Sequence, residues 1–283
     1  MAARPPRRRV ADPARQRLRS DLIAFGFVAA LLFGVTFLPP DTTLAQVRES
    51  GVLRVCVPDS FPPLVTGTVD RPGIDLELLA EAAKALDVRL LTVTNSAIGR
   101  DFNPRNWRVT RAQCLVLAGG IIDTTLTRSF LVVTPPHLET GWAAVAADSE
   151  QATLQDAQVG FFAGLTGLDR LTLSRWLRER GAQVTVLSDE QEANEGLASG
   201  RFDVVVSEGL TARRIAEAVG ARAVWLPVGE GPVPVAFGLW KGDLTLERAL
   251  ERQLRRLERS GFVADLVERY ALAPIADSCS FCN

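Results

Sequence analysis

The stretch that decides the fold runs from residue 52 to residue 93. In it, VLRVCV (52–57) is followed by GIDLELLAEAAKAL (73–86) and then by VRLLTV (88–93). The two outer segments are short, apolar and rich in β-branched residues, which predicts strands. The middle segment repeats apolar residues at helical spacing, at Leu76, Leu79, Ala83 and Leu86. A strand, a helix and a strand in this order form a βαβ unit, so the sequence predicts an α/β fold with a mainly parallel sheet.

The rest of the chain continues this alternation in two series. Two further strands are predicted at residues 114–120 and 142–147. A second series predicts strand 157–164, helix 165–181, strand 183–187, helix 190–200 and strand 201–209. The chain closes with a strand at 233–243 and two helices at 245–272, broken at Gly261. Two such series predict two lobes, with a ligand crevice outside the carboxyl ends of their strands.

The charge distribution separates a basic leader from an acidic body. The chain has 283 residues, of which 47% are hydrophobic, enough to bury a sizeable core. After Ala45 it carries 25 of its 32 basic residues against 30 of its 33 acidic ones, a net charge of −5. Nucleic-acid-binding domains are strongly basic. We therefore expect no nucleic-acid partner.

Residues 1–45 have the layout of a secretory leader. Seven arginines precede a charge-free apolar run from Leu22 to Leu38, and the small-residue pattern Thr43-Leu44-Ala45 follows. This layout is typical of a signal peptide cleaved after Ala45. The apolar run is also long enough for an uncleaved membrane anchor, and that alternative stays open. Both interpretations place everything from Gln46 onward outside the cytoplasm, in the periplasm.

The four cysteines fit disulfides better than a metal site. In an exported protein, Cys56, Cys114, Cys279 and Cys282 are expected to be oxidised, although the sequence does not fix their pairing. Zinc needs convergent ligands, and the one histidine, His137, lies in no ligand-spaced cluster. We therefore expect no metal and no cofactor.

Five segments in order resemble the bacterial extracellular solute-binding proteins of family 3, the amino-acid-type periplasmic receptors of ABC importers. The resemblance extends from residue 47 to residue 272. It includes the first strand with its aromatic-proline loop, a glycine-led first helix, a turn ending in T-x-x-R, an L-x-x-G-R-x-D element and the closing helices. These segments are GVLRVCVPDSFPPL, RPGIDLELLAEAAKAL, GGIIDTTLTRS, LASGRFDVVVSEG and LWKGD with the helices to Tyr270.

The resemblance implies a two-lobe clamp of the type II periplasmic-binding-protein class, in which each lobe is a mainly parallel sheet flanked by helices. Lobe 1 would comprise residues 46–147 and 233–272, lobe 2 residues 148–232, and a cysteine-containing tail residues 273–283. The chain would cross between the lobes near Ala146 and near Val233. The implied function is capture of a small carboxylate-bearing, amino-acid-like solute for the membrane permease of an ABC importer. Such a receptor is a monomer and not an enzyme.

The same resemblance implies a ligand-binding set. Arg128 matches the arginine that binds the ligand's α-carboxylate through paired donors. Glu208 matches the acid that receives the amino group, and Phe61 matches an aromatic residue that stacks on the ligand. Asp123 replaces a small hydroxyl residue of the family, which is unfavourable beside a carboxylate unless Arg128 neutralises it. The full expected set is Arg128, Thr125, Gly120, Ile121, Asp123, Phe61, Thr166 and Glu208.

Two other functions remain open on the sequence. The exported cyclohexadienyl dehydratases have a similar fold, and Asp123, Glu208 or His137 could supply their general acid or base. Binding modules that accompany quinoprotein dehydrogenases have a cysteine in the first strand and another opening the third, as Cys56 and Cys114 do here. A solute that is consumed rather than returned intact would indicate the enzyme.

Overall fold

The computed structural model describes residues 13–35, 41–98, 104–148, 152–164, 167–229, 231–277, 279 and 282. The chain divides into two compact units, Met1–Asp41 and Thr42–Asn283. The first unit contains helix α1 (Pro13–Val35). Among the residues described, no helix combines the length and the apolar composition that a bilayer span requires. Cleavage after Ala45 stays a prediction.

The first sheet of the second unit is built around the βαβ unit predicted from residues 52–93. Strands β1 and β2 are parallel and are joined by helix α3, and β1 also pairs in parallel with β3. Strand β11 returns antiparallel to β3, β4 and β5, so the sheet is mixed rather than mainly parallel. The elements are α2 (Thr43–Ser50), β1 (Val52–Val57), α3 (Ile74–Lys84), β2 (Arg89–Thr94), β3 (Val116–Ile122), α4 (Thr125–Phe130), β4 (Leu131–Val133), β5 (Leu138–Thr140), β11 (Val233–Trp240), α8 (Leu244–Arg259) and α9 (Phe262–Arg269).

The second sheet has the order β10-β6-β9-β7-β8 and is also mixed. Strand β7 is parallel to β8 and β9, whereas β6 is antiparallel to β9 and β10. Its elements are β6 (Trp142–Ala146), β7 (Gln158–Phe161), α5 (Arg170–Glu179), β8 (Gln183–Val186), α6 (Glu190–Ala198), β9 (Val204–Glu208), α7 (Gly209–Val219) and β10 (Ala223–Trp225). Below, the first lobe means the first sheet with its helices, and the second lobe means the second sheet with its helices.

The first crossing between the sheets lies at Gly141, five residues before the expected position near Ala146. Strand β5 ends in the first sheet at Thr140, and β6 begins in the second sheet at Trp142. Every residue of β6 is buried, so its sequence has no polar face that could indicate to which sheet it belongs. The second crossing follows Trp225, and it runs beside the first, because a Cβ on Gly141 would lie against Pro232.

The C-terminal tail crosses once more and joins the second sheet. The backbone of Ala276 receives a hydrogen bond from Trp225 and donates one to Ala223. The side chain of Ile275 is buried in the core of the second lobe. The lobes are therefore connected by three stretches of chain, where the sequence predicted two.

Helix boundaries follow their capping residues. The helix expected at 165–181 begins at Arg170, because the carboxylate of Asp169 accepts hydrogen bonds from the backbone N–H groups of Leu171 and Thr172. Helices α8 and α9 break at Gly261, which has a positive φ of 84°, as predicted. Helix α7 was not predicted: only its first residue, Gly209, fell within an expected element, the strand at 201–209.

Both cysteine pairs are disulfides, and no described cysteine is free. The bond between Cys56 and Cys114 joins β1 to the residues before β3, where Trp107 packs in the same buried cluster. The bond between Cys279 and Cys282 lies in the tail, whose Cys282 carbonyl accepts a hydrogen bond from Arg180 Nε at 2.7 Å. The expectation of oxidised cysteines is confirmed.

The two disulfides are expected to contribute very differently to stability. The Cys56–Cys114 bond closes a sequence separation of 58 residues and the Cys279–Cys282 bond one of 3. Cross-linking a longer loop removes more entropy from the unfolded chain. Replacing Cys56 and Cys114 together by alanine should lower the free energy of unfolding by about 2 to 4 kcal/mol in urea titrations. The matched control, Cys279→Ala with Cys282→Ala, should lower it much less, and equal losses would contradict this reasoning.

Candidate functional site

A cavity of about 380 Å³ lies between the two lobes. On the first lobe it is lined by the loop that follows β1, including Phe61, and by Gly119 of β3. On the second lobe it is lined by Phe162, which directly follows β7, and by residues near the beginnings of α6 and α7. The cavity therefore occupies the carboxyl-end crevice that the order of elements predicted.

The floor of the cavity on the first lobe is fixed by a buried chain of hydrogen bonds. Gly119 has a positive φ of 88° and no room for a Cβ, which would overlap the ring of Pro58. Its N–H donates to Asp75 Oδ2 at 2.7 Å, and Asp75 Oδ1 shares a hydrogen bond of 2.7 Å with His137 Nε2. Asp75 and His137 are almost completely buried. They hold the backbone of Gly119 in position but do not line the cavity themselves.

The second lobe contributes an ion pair to the cavity wall. Arg214 Nη2 lies 2.9 Å from Glu190 Oε2, and the two side chains are 34% and 22% exposed. Arg214 Nη1 also donates to the backbone carbonyl of Pro62 on the first lobe, at 3.2 Å. Burial raises the pKa of Glu190; the positive charge of Arg214 opposes this shift and the charge of Glu208 adds to it. A carboxylate and a guanidinium therefore face the cavity together.

Sequence reasoning missed both members of this pair. Glu190 follows the N-cap residue Asp189 at the beginning of α6, and Arg214 lies in the middle of the unpredicted helix α7. The available indication was the pattern of residues 209–219, where apolar residues recur every three to four positions between arginines.

One residue of the expected set lines the cavity, and two others directly follow a lining residue in β3. Phe61 lines it. Gly120 and Ile121 are buried in β3, directly after the lining residue Gly119. Thr166 lies outside the described residues.

Arg128, Asp123 and Thr125 form a separate group that does not line this cavity. Arg128 Nε and Nη2 donate to the two carboxylate oxygens of Asp123, each at 2.5 Å. These hydrogen bonds and the charge of Asp123 raise the pKa of Arg128, whose side chain is 60% exposed. Thr125 is exposed in the first turn of α4. The paired donors of Arg128 are thus already engaged by a carboxylate of the chain itself.

Glu208 is the N-cap residue of α7 and is completely buried. Its Oε1 accepts from the backbone N–H of Thr211 at 2.6 Å, and its Oε2 accepts from the N–H of Leu210 and from Thr140 Oγ1, at 2.9 and 2.6 Å. A Cβ on Gly164, which lines the cavity, would overlap the Glu208 side chain. Glu208 thus lies directly beneath the cavity wall with both oxygens bonded. In the described part of the chain, no cluster of acidic, histidine or cysteine side chains has a geometry that would hold a metal ion.

Solved structures of amino-acid-binding proteins share this fold. An ancestral cationic amino acid solute-binding protein matches with a TM-score of 0.63 and 19% identity, over 81% of this chain and 99% of its own. A mutant of the arginine-binding protein of T. maritima matches with a TM-score of 0.58 and 23% identity, over 81% and 98%. An amino acid ABC transporter substrate-binding protein of Streptococcus pneumoniae, bound to L-arginine, matches with a TM-score of 0.62 and 18% identity, over 82% and 99%.

These likenesses confirm the two-lobe α/β fold of periplasmic-binding-protein type that the sequence predicted. No protein-family model matches the sequence, and no curated protein matches it.

The capping role of Glu208 can be tested by stability. Glu208→Ala would leave two backbone N–H groups and the Thr140 hydroxyl without their buried acceptor. Each unsatisfied buried group is unfavourable, so we expect the free energy of unfolding in urea to fall by at least about 1 to 3 kcal/mol. Glu217→Ala, at an exposed position of the same helix, is the matched control and should change it by under about 0.5 kcal/mol. Equal, small effects of the two substitutions would contradict the capping role.

Proposed function

We propose that this protein is a solute-binding protein that captures a small amino-acid-like solute in the cavity between its lobes and delivers it to the membrane permease of an ABC importer. The observation that carries the proposal is the cavity itself, which is lined from both lobes and contains a carboxylate and a guanidinium. Two solved substrate-binding proteins of the same fold, both from Streptococcus pneumoniae, contain bound L-arginine and bound histidine, respectively. This agreement supports an amino-acid-like ligand.

The chemistry of the cavity fits a zwitterion. The guanidinium of Arg214 can donate paired hydrogen bonds to a carboxylate, and Glu190 can accept from an ammonium group. Phe61 and Phe162 lie on opposite lobes and offer aromatic faces to the rest of the solute. The volume of about 380 Å³ is in the range of small-ligand sites.

This assignment moves the proposed carboxylate anchor from Arg128 to Arg214. Arg128 is engaged by Asp123 and does not line the cavity, whereas Arg214 lines it and contacts both lobes. For Arg128 to bind a solute, the carboxylate of Asp123 would first have to be displaced. Thr125, like Arg128, does not line the cavity, and we assign neither residue to solute binding.

Closure of the lobes completes the proposed mechanism. The crossing at Gly141 and the crossing beside it give hinge positions between the sheets. When the lobes close, water leaves the cavity and the charge contacts to the solute become stronger. The hydrogen bond from Arg214 to the carbonyl of Pro62 joins the two lobes across the cleft.

We also propose that the protein acts in the periplasm. The support is the leader layout of residues 1–45 together with two disulfides, which persist in oxidising compartments.

An enzyme is the second candidate function. A solved ancestral amino-acid-binding protein of this fold, described as a precursor of cyclohexadienyl dehydratase, matches with a TM-score of 0.61 and 17% identity. The raised pKa of Glu190 would suit a general acid or base. The deciding measurement is mass spectrometry of the solute after incubation with the protein: an intact solute supports a receptor, and loss of water from it supports the dehydratase.

The proposed anchor is tested by a thermal-shift screen of amino acids, followed by calorimetric titration of the amino acid that raises the melting temperature most. Arg214→Ala removes charge-assisted hydrogen bonds worth about 1.5 to 3 kcal/mol, so affinity should fall about 10- to 100-fold. Arg214→Lys should restore little, because an ammonium cannot donate two parallel bonds. Arg128→Ala is the matched control and should change affinity less than about threefold. A larger loss in Arg128→Ala than in Arg214→Ala would return the site to Arg128.

The protonation state of Glu190 should set the pH dependence of binding. Because its pKa is raised, the Glu190 carboxyl becomes neutral at a pH where an ordinary glutamate is still charged. Lowering the pH from neutral therefore removes the acceptor for the ammonium group, and affinity should fall as the pH approaches and passes the Glu190 pKa. Titrations of wild type and Glu190→Gln at several pH values check this. The variant should bind more weakly at neutral pH and with a flatter profile, and parallel profiles would refute the role.

A further inference from the structure

A second crevice of about 330 Å³ lies between the lobes. Its walls include Arg71 of the first lobe and Arg213 and Arg214 of α7 on the second lobe. We call it the arginine crevice after these three residues. It shares Pro62 and Arg214 with the solute cavity, but none of its other lining residues.

Arg213 is a partly buried cation without a close partner. Its Nε is buried and has no hydrogen-bond acceptor among the described residues, and no carboxylate in those ranges forms an ion pair with it. Burial lowers the pKa of Arg213, and the more distant charges of Glu208 and Glu139 only oppose this. A buried donor that lacks an acceptor is unfavourable. Arg213 lines the crevice, so an anion bound there would balance its charge.

Arg71 is held in place on the opposite wall. Its Nη2 donates to the backbone carbonyl of Arg269 at 2.6 Å, and its guanidinium lies over the ring of Tyr270, 4.8 Å from the centroid. Its own carbonyl accepts from the hydroxyl of Thr68 at 3.0 Å, which holds the loop. A side chain that is already ordered loses little entropy when it binds a ligand.

The charges of the residues that line the arginine crevice favour an anion. Arg214 is paired with Glu190, which leaves Arg71 and Arg213 as the cations to be balanced. Among the described residues that line the crevice, Glu217 is the one acid, and it is exposed. The planar donor groups of arginine match the oxygens of phosphate or of a carboxylate.

We propose that the arginine crevice binds a small oxyanion, such as inorganic phosphate, between Arg71 of the first lobe and Arg213 of the second. Because the ion would bridge the lobes, its binding would favour the arrangement in which they are close together. The site is distinct from the solute cavity and does not depend on what that cavity binds.

The test is calorimetric titration of the full chain with inorganic phosphate and, in parallel, with malonate, at constant ionic strength set with chloride. Phosphate or malonate should bind at one site per chain, and their relative affinities distinguish a tetrahedral oxyanion from a dicarboxylate. Arg213→Gln should weaken binding at least tenfold. The matched control Arg178→Gln removes the same charge from an exposed position of α5 in the same lobe and should change affinity less than twofold.

Melting curves without phosphate establish that each variant is folded, and Arg71→Gln serves as a second variant on the other lobe with the same expected loss. Phe162 lines the solute cavity but not the arginine crevice, so Phe162→Ala should leave phosphate affinity unchanged while weakening solute binding. The experiment therefore distinguishes failure of the anion site from failure of the proposed solute site. Heats no larger than those of chloride, or equal losses in Arg213→Gln and Arg178→Gln, would overturn the anion site.

Discussion

The buried carboxylate of Glu208 is the interaction on which the rest of the second unit depends. It accepts from the hydroxyl of Thr140, which ends β5 in the first sheet just before the first crossing, and from the backbone N–H groups that begin α7 on the second. In the second sheet Glu208 pairs with Trp142, the residue directly after the crossing at Gly141. One side chain therefore connects the crossing, both lobes and helix α7, which contributes residues to both cavities. A buried charge is stable only when such bonds satisfy it.

Helix α7 divides the space between the lobes. Consecutive residues of an α-helix point about 100° apart, so neighbouring side chains can face different chambers. Thr211 faces the solute cavity, Arg213 faces the arginine crevice, and Arg214 borders both. Arg214 and Pro62 line both chambers, and the hydrogen bond between them lies where the two chambers meet. Anything that shifts α7 would alter both chambers together, which is why the cap at Glu208 matters for binding as well as for stability.

Charge pairing within the chain decides which arginines are available to a ligand. Arg128 is neutralised by Asp123 five residues earlier, in a bidentate geometry that leaves its donors occupied. Arg214 is paired with the carboxylate of Glu190, but both side chains line the cavity, so a solute can compete for both members of the pair. Arg213 has no such partner among the described residues. The carboxylates that the fold brings close to each arginine therefore determine whether that arginine is occupied, shared with a solute or available to an anion.

The βαβ unit of residues 52–93, the second α/β series except α7, and the break at Gly261 could be predicted from local pattern, because strand and helix periodicity are properties of neighbouring residues. The oxidation of the cysteines followed instead from the leader layout, which indicates export to an oxidising compartment. The position of the crevice followed from the order of the elements, and Phe61 was found in it. The sequence could not assign β6 to a sheet, because that strand is buried on both faces. It raised the pairing of Arg128 with Asp123, five residues apart, but could not show that Asp123 would engage both donor nitrogens. Nor could it show that Glu190 and Arg214, 24 residues apart, would meet at the cavity wall. That second pairing depends on tertiary packing, which brings together side chains that no spacing rule connects.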